Sequence, residues 1–292
     1  MVCRSLQQLL SLPMNRTGKA AGRIIFLLIV LITLTILTRP SSLLASGNVG
    51  YVCPSPPQFK LNNQPIRGLI LPHHEVAKMV WRPTFKHLSQ QKIKRVILLS
   101  PNHFWLGKQS VTTASQPSVQ EDLAISIDQN LVTLINQSRG VEDNPEIVWQ
   151  DHGVINFIPI IKEQLPEAQI LPILFKKNVS LKQIDGLVKE LAPSLNDQTI
   201  VIASLDFAHE VLPLAATKND KLTQSLIKKR DYYRLLKLSS AYIDSPIALV
   251  TFLKLMDAKE VSTNLIWQSH AGEFNQNCSE ATTSYQVWMA ND

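Results

Sequence analysis

The sequence predicts an α/β fold, one domain with a largely parallel or mixed central sheet flanked by helices. Three observations lead there. Short β-branched runs stop abruptly at proline, serine or asparagine, as strands buried on both faces do. Segments with apolar residues at helical spacing separate these runs, which is the alternation of a sheet covered by helices. The chain has 292 residues, 45% of them apolar. The roughly 240 that remain after an N-terminal segment suit one large core.

The elements follow in order. Gly68-Leu69-Ile70-Leu71 reads as the first strand, stopped by Pro72. Residues 78–91 have helical spacing. Arg95 to Leu99 is a second strand, stopped by Ser100-Pro101-Asn102. Residues 121–138 and 156–163 read as helices. Gln169 to Phe175 reads as a strand whose Pro172 predicts an edge or a bulge. Residues 181–191 are helical, and Thr199 to Ser204 is the cleanest strand. Residues 221–238 and 245–257 are helical, the second with Pro246 in its first turn. Residues 264–268 and 283–289 close the chain as strands.

The domain is expected over residues 66–292, behind a basic leader and apolar segment (1–45) and a Pro/Ser-rich linker (46–65). Much of the net charge of +6 is topogenic: Arg4, Arg16, Lys19 and Arg23 precede the uncharged run Ile24 to Thr38. That bias predicts a cytoplasmic N-terminus and a domain on the other side of the membrane. The run is shorter than the roughly 17–20 residues of a full span. A signal anchor in the cytoplasmic membrane and a secretory signal cleaved near Ala45 both remain open. The membrane is therefore an expected partner through this segment. Cys53 and Cys278 flank the exported part and read as a disulfide or as two unrelated thiols. Short basic pairs such as Lys176-Lys177 read as solvated faces, so no nucleic-acid partner is expected.

Sheets of this class place their sites just beyond the carboxyl ends of the strands. His73 and His74 follow the first strand, and His103 the second. Asp206 and His209 follow the strand ending at Ser204, and Asp151-His152 opens a helix. His270 lies in a turn after a strand; only His87 falls inside a predicted surface helix. A lone loop histidine is usually solvent-facing, but several at strand exits point to a shared site. Imidazole is the commonest metal ligand. A mixed His/Asp set suits iron or copper, and zinc, better than magnesium or calcium. Ser204 lacks the Gly-x-Ser-x-Gly elbow of a hydrolase nucleophile. With 10 glycines in all and no phosphate-binding loop, no nucleotide cofactor is expected.

These segments resemble the Memo family, also called AmmeMemoRadiSam system protein B. The resemblance rests on five motifs in order: Leu69-Ile-Leu-Pro-His73, Leu99-Ser-Pro-Asn-His103, Asp151-His152-Gly153, Leu171-Pro-Ile-Leu174 and Ser204-Leu-Asp-Phe-Ala-His209, with Asp220 as a further acidic position. It implies a fold akin to the extradiol non-haem iron dioxygenases and a site at His73, His103 and His209. His152 and Asp206 would stand beside them in catalytic roles. Iron or copper binding and redox chemistry are what the family implies. Where the family places a cysteine, this chain has Tyr242, so Tyr242, Asp244 or His270 is an additional candidate ligand. The leading expectation is a metal-binding protein with a redox or dioxygenase-like role. A non-catalytic module binding a peptide or small molecule on the same fold is the alternative, and a metal-dependent hydrolase the weaker one.

Overall fold

Residue 61, residues 64–275 and residues 280–291 are described by the computed structural model of the protein. The elements are β1 (Ile66–Leu71), α1 (Trp81–Leu88), β2 (Arg95–Pro101), β3 (Val111–Thr113), α2 (Gln129–Asn136), β4 (Val141–Asp143), α3 (Pro145–Val148), α4 (His152–Ile155), α5 (Ile158–Gln164), β5 (Gln169–Phe175), α6 (Leu181–Leu191), β6 (Thr199–Ser204), α7 (Pro213–Lys228), α8 (Tyr232–Leu235), α9 (Pro246–Asp257), β7 (Ser262–His270), α10 (Ala271–Asn275) and β8 (Ser284–Asn291). The eight strands form one mixed sheet in the order β4-β3-β5-β2-β6-β1-β8-β7.

The four central strands, β5, β2, β6 and β1, are mutually parallel. Their apolar runs are buried along nearly their whole length, as strands covered on both faces must be. Parallel pairing puts their carboxyl ends on one edge of the sheet, which brings the exits of β1, β2 and β6 together. β8 runs antiparallel to β1 and β7 antiparallel to β8. The start of β8 and the end of β7 therefore reach the same edge.

Pro172 stands inside the sheet, with β2 on one side and β3 on the other. It is tolerated because β3 pairs only with Ile173, Leu174 and Phe175. The Pro172 carbonyl accepts the Thr113 hydroxyl at 2.8 Å. A residue's N and O face the same side of a strand, so the missing N–H points where the β3 ladder has already stopped. The predicted helix over 121–138 is shorter, because Ile127 forms an extended bridge with Ile170 and Asp128 caps α2 by accepting the Leu131 N–H. The predicted helix over 221–238 is broken by Arg230, whose φ is 53°.

Helix α9 is apolar on nearly every side, and ten of its residues are buried. A helix of that kind has to lie against the sheet rather than over it in solvent. Gly68 of β1 makes room for it: a Cβ there would lie 2.6 Å from Met256 Sδ and 2.7 Å from Phe252 Cε2.

The expectation of a membrane partner and an extracytoplasmic, membrane-held domain is corrected. Among the described residues no helix is long and apolar enough to cross a membrane. The run Ile24 to Thr38 lies outside the described residues; at 15 residues it also falls short of a span. Cys53 and Cys278, with the disulfide expected of them, lie outside the described residues too.

The Gly68 contact gives a test of this packing. Gly68→Val forces α9 away from β1 and should cost about 1–3 kcal/mol. Urea unfolding should show a lower midpoint with an unchanged slope.

Candidate metal centre

His73 leaves β1 fully buried. The segment around it is pinned, since Trp81 Nε1 donates to the Pro72 carbonyl at 2.7 Å and Asn156 Nδ2 to the His73 carbonyl at 3.0 Å. His73 Nδ1 lies 3.2 Å from Ser204 Oγ. Ser204 donates its own proton to the Gly153 carbonyl at 2.7 Å. Its oxygen is therefore the acceptor, and His73 Nδ1 carries the proton. The bare Nε2 then faces inward.

His103 is set in the same way by a carboxylate. Asp151 accepts the His103 backbone N–H at 2.9 Å and its Nδ1–H at 2.8 Å. The same carboxylate caps α4 by accepting the Gly153 N–H at 2.9 Å. One peptide unit thus serves both histidines: the Gly153 carbonyl through Ser204, and the Gly153 N–H through Asp151. Residue 153 has no room for more than hydrogen, because a Cβ would sit 2.1 Å from Ser100 Oγ.

These contacts aim two bare Nε2 atoms at one spot. The ring centroids of His73 and His103 are 4.8 Å apart, and His152 is 5.1 Å from the first and 3.8 Å from the second. Ligand atoms of His73, His103 and His152 all lie within 4.8 Å of one another, and the same holds for His73, Asp206 and Asp244. His73 Nε2 stands 3.2 Å from Asp206 Oδ2 and 3.5 Å from Asp244 Oδ2. Despite those distances His73 Nε2, His103 Nε2 and both Asp206 carboxylate oxygens have no hydrogen bond, though all are buried. A lone pair facing two carboxyls needs positive charge between them, as a proton or a metal ion.

Burial is the leading influence on several groups here. It lowers His73 well below the usual imidazole range, and neighbouring His103 and His152 add to the effect. Burial lowers His74 and His152 as well, with His103 next in each case. Burial and then Asp244 raise Asp206 well above the usual carboxylate range. Asp244 is pushed up to about 7, chiefly by burial. The two aspartates are tied through the backbone: the Asp206 N–H donates to Asp244 Oδ2, and the Asp244 N–H to the Asp206 carbonyl.

The expected residues divide into three groups. His73, His103 and His152 form one triad and His73, Asp206 and Asp244 a second, joined at His73. His209 stands farther out, its ring 5.6 Å from His74, with a buried Nε2 that has no partner. Burial pushes His209 down to about 4. Tyr242 and His270 stay outside the cluster. Tyr242 makes a backbone bond to Ser239, whereas His270 Nε2 pairs with Glu273 at 3.4 Å. Three contributors were legible in the sequence only as positions, without a role. His74, named at the exit of the first strand, has its Nδ1 3.1 Å from Asp206 Oδ2. Asp151 was read as opening a helix, and Ser204 as the end of a strand.

The Memo-like protein family model matches residues 51–285. A MEMO1 family protein of Nitrosopumilus maritimus is 31% identical over 157 residues, covering 51% of this chain and 55% of that protein. One from Methanopyrus kandleri is 23% identical over 207 residues, covering 66% and 73%. One from Pyrobaculum arsenaticum is 26% identical over 151 residues, covering 50% and 53%. The chain thus spans about half the length of two of these three curated relatives. The crystal structure of an uncharacterised Escherichia coli K12 protein superposes with a TM-score of 0.53 at 12% identity, over 77% of this chain and 99% of that one. That likeness is one of fold.

A buried carboxyl beside the centre allows a pH test. Asp220 Oδ1 accepts the Ser284 hydroxyl at 2.7 Å, and Ser284 Oγ accepts the Ala208 N–H at 2.8 Å, bracing the loop between Asp206 and His209. Burial raises Asp220 to about 6. A carboxyl whose folded pKa is raised stabilises the fold below its unfolded value and loses that contribution as pH rises through the folded one. Between pH 4 and about 6 the protein should lose up to about 3 kcal/mol relative to Asp220→Asn. Parallel pH profiles of the two proteins in urea would expose the error.

Proposed function

The chain belongs to the Memo family, and from that premise we propose that its histidine cluster binds a redox metal, iron or copper. His73, His103 and His152 would supply nitrogen, and Asp206 and Asp244 oxygen. The observation carrying this reading is His73 Nε2, buried and without a hydrogen bond, which faces the Asp206 and Asp244 carboxyls and shares a ligand cluster with His103 and His152. A nitrogen and carboxylate donor set suits iron, copper or zinc, and the redox metals follow from the family resemblance. The metal would supply one-electron chemistry, so an oxidation of dioxygenase-like type is the reaction class favoured.

The remaining residues define what the protein adds. Asp151 orients His103 and Ser204 orients His73, each holding the Nδ1–H tautomer that leaves Nε2 bare. Burial keeps His209 neutral at ordinary pH, and its partnerless Nε2 offers a hydrogen-bonding position at the margin of the site. This assigns His152 to the ligands and His209 to orienting a bound molecule.

Elemental analysis of the purified full-length chain should find about one iron or copper per molecule. His73→Ala and His103→Ala should each reduce it to background. Asp151→Asn should weaken binding about 10–100-fold, and His209→Ala should leave occupancy unchanged. Full occupancy in a His73→Ala, His103→Ala double variant would sink the assignment.

A further inference from the structure

Among the described residues eleven large apolar side chains are exposed. Seven of these lie within five positions of a histidine of the cluster. Val76 and Met79 follow His74, and Phe104, Trp105 and Leu106 follow His103. Leu212 and Leu214 follow His209. Each of the three strand exits carries a histidine inward and then apolar groups into solvent. Isolated exposed hydrophobics are ordinary, but a cluster at one edge of a sheet marks a binding surface.

The segment after β2 is also rigid. Asn102 donates through Nδ2 to the Leu106 carbonyl at 2.9 Å and accepts the Leu106 N–H at 3.2 Å. Lys176 Nζ holds the Gly107 carbonyl at 2.6 Å. Trp105 has a φ of 56°, a backbone state that costs a bulky residue free energy. The loop is therefore fastened in a form that keeps Trp105 53% exposed. Phe104 stands edge-on to His152, with ring centroids 6.3 Å apart, so the apolar rim meets the centre directly.

Exposure rises from the inner residues of the site to its outer ones. His73 and Asp206 are inaccessible at the floor, while the His103 and His74 side chains are 19% and 38% exposed on the walls. Apolar groups form the lip. We propose that the site takes a small amphiphile, with an anionic oxygen head reaching the histidines and an apolar body resting on the lip. The head rests on the metal reading above; the body rests on the exposed side chains alone.

Alkyl hydroxamates and carboxylates separate the two parts. With cobalt-loaded full-length chain, octanohydroxamate should bind on the order of 60-fold more tightly than acetohydroxamate, about half the full transfer value for each added methylene. A Phe104→Ala, Trp105→Ala variant should reduce that ratio to a few-fold while keeping cobalt and acetohydroxamate affinity. Equal affinities for the two hydroxamates, or a ratio unchanged in the variant, overturns the proposal. Should cobalt fail to bind, octanoate and acetate are compared on the metal-free chain by indole NMR. A tail-length preference lost in the variant then supports the amphiphile while the metal reading falls, and no preference overturns it.

Discussion

The Gly153 peptide unit holds the centre together. Its carbonyl takes the Ser204 hydroxyl, which leaves the Ser204 oxygen to accept from His73; its N–H goes to Asp151, which accepts from His103. Two histidines from different strands are thus fixed in the same protonation pattern by one residue on a third element. The arrangement needs the start of α4 to lie directly against β2 and β6, and a side chain at 153 would prevent that approach. It also needs β2 and β6 to be parallel neighbours, so that their carboxyl ends open on the same edge. The sheet order is therefore a condition of the site's chemistry.

The cost of this design lies in burial. Imidazoles, two carboxyls and several orphaned polar atoms crowd a site whose floor, His73 and Asp206, is closed to water. A hydroxyl and a carboxylate satisfy the outer ring nitrogens of His73 and His103 only. Natural interiors rarely leave such groups unpaired. The directions of the shifts express the conflict: imidazoles are driven neutral and carboxyls toward their protonated forms. A cation seated between them would remove both penalties at once, because it pairs with lone pairs and carboxylates together.

The sequence showed the parts whose physics is local. Long apolar runs gave the four central strands, the rule that sites gather at parallel strand ends picked out His73, His74, His103, Asp206 and His209, and the family resemblance narrowed these to His73, His103 and His209. β3 and β4, three residues each, carry no periodic pattern to read. The shortened helices depended on distant or local particulars: Ile127 is drawn out by Ile170, and Arg230 turns into a left-handed conformation. Asp151 was hidden because its capping role fully accounts for an aspartate at that position. Its second role exists only because β2 ends beside α4. The closeness of His152 to His103 was likewise hidden, since nothing in a linear sequence measures a ring separation of 3.8 Å.

Asp244 shows how a departure from a family pattern can be absorbed. The resemblance expects a cysteine near Tyr242, and Tyr242 does not reach the cluster. Two residues later the Asp244 N–H donates to the Asp206 carbonyl and turns the Asp244 carboxyl toward His73. On the metal reading, a carboxylate stands where a thiolate would have been. Oxygen is the harder donor, so the exchange disfavours copper(I) and favours iron or copper(II). It also brings a second carboxylate beside Asp206, and two adjacent carboxylates repel unless a cation lies between them. Loss of the cysteine therefore makes the pocket depend more strongly on a bound cation than a single carboxylate would.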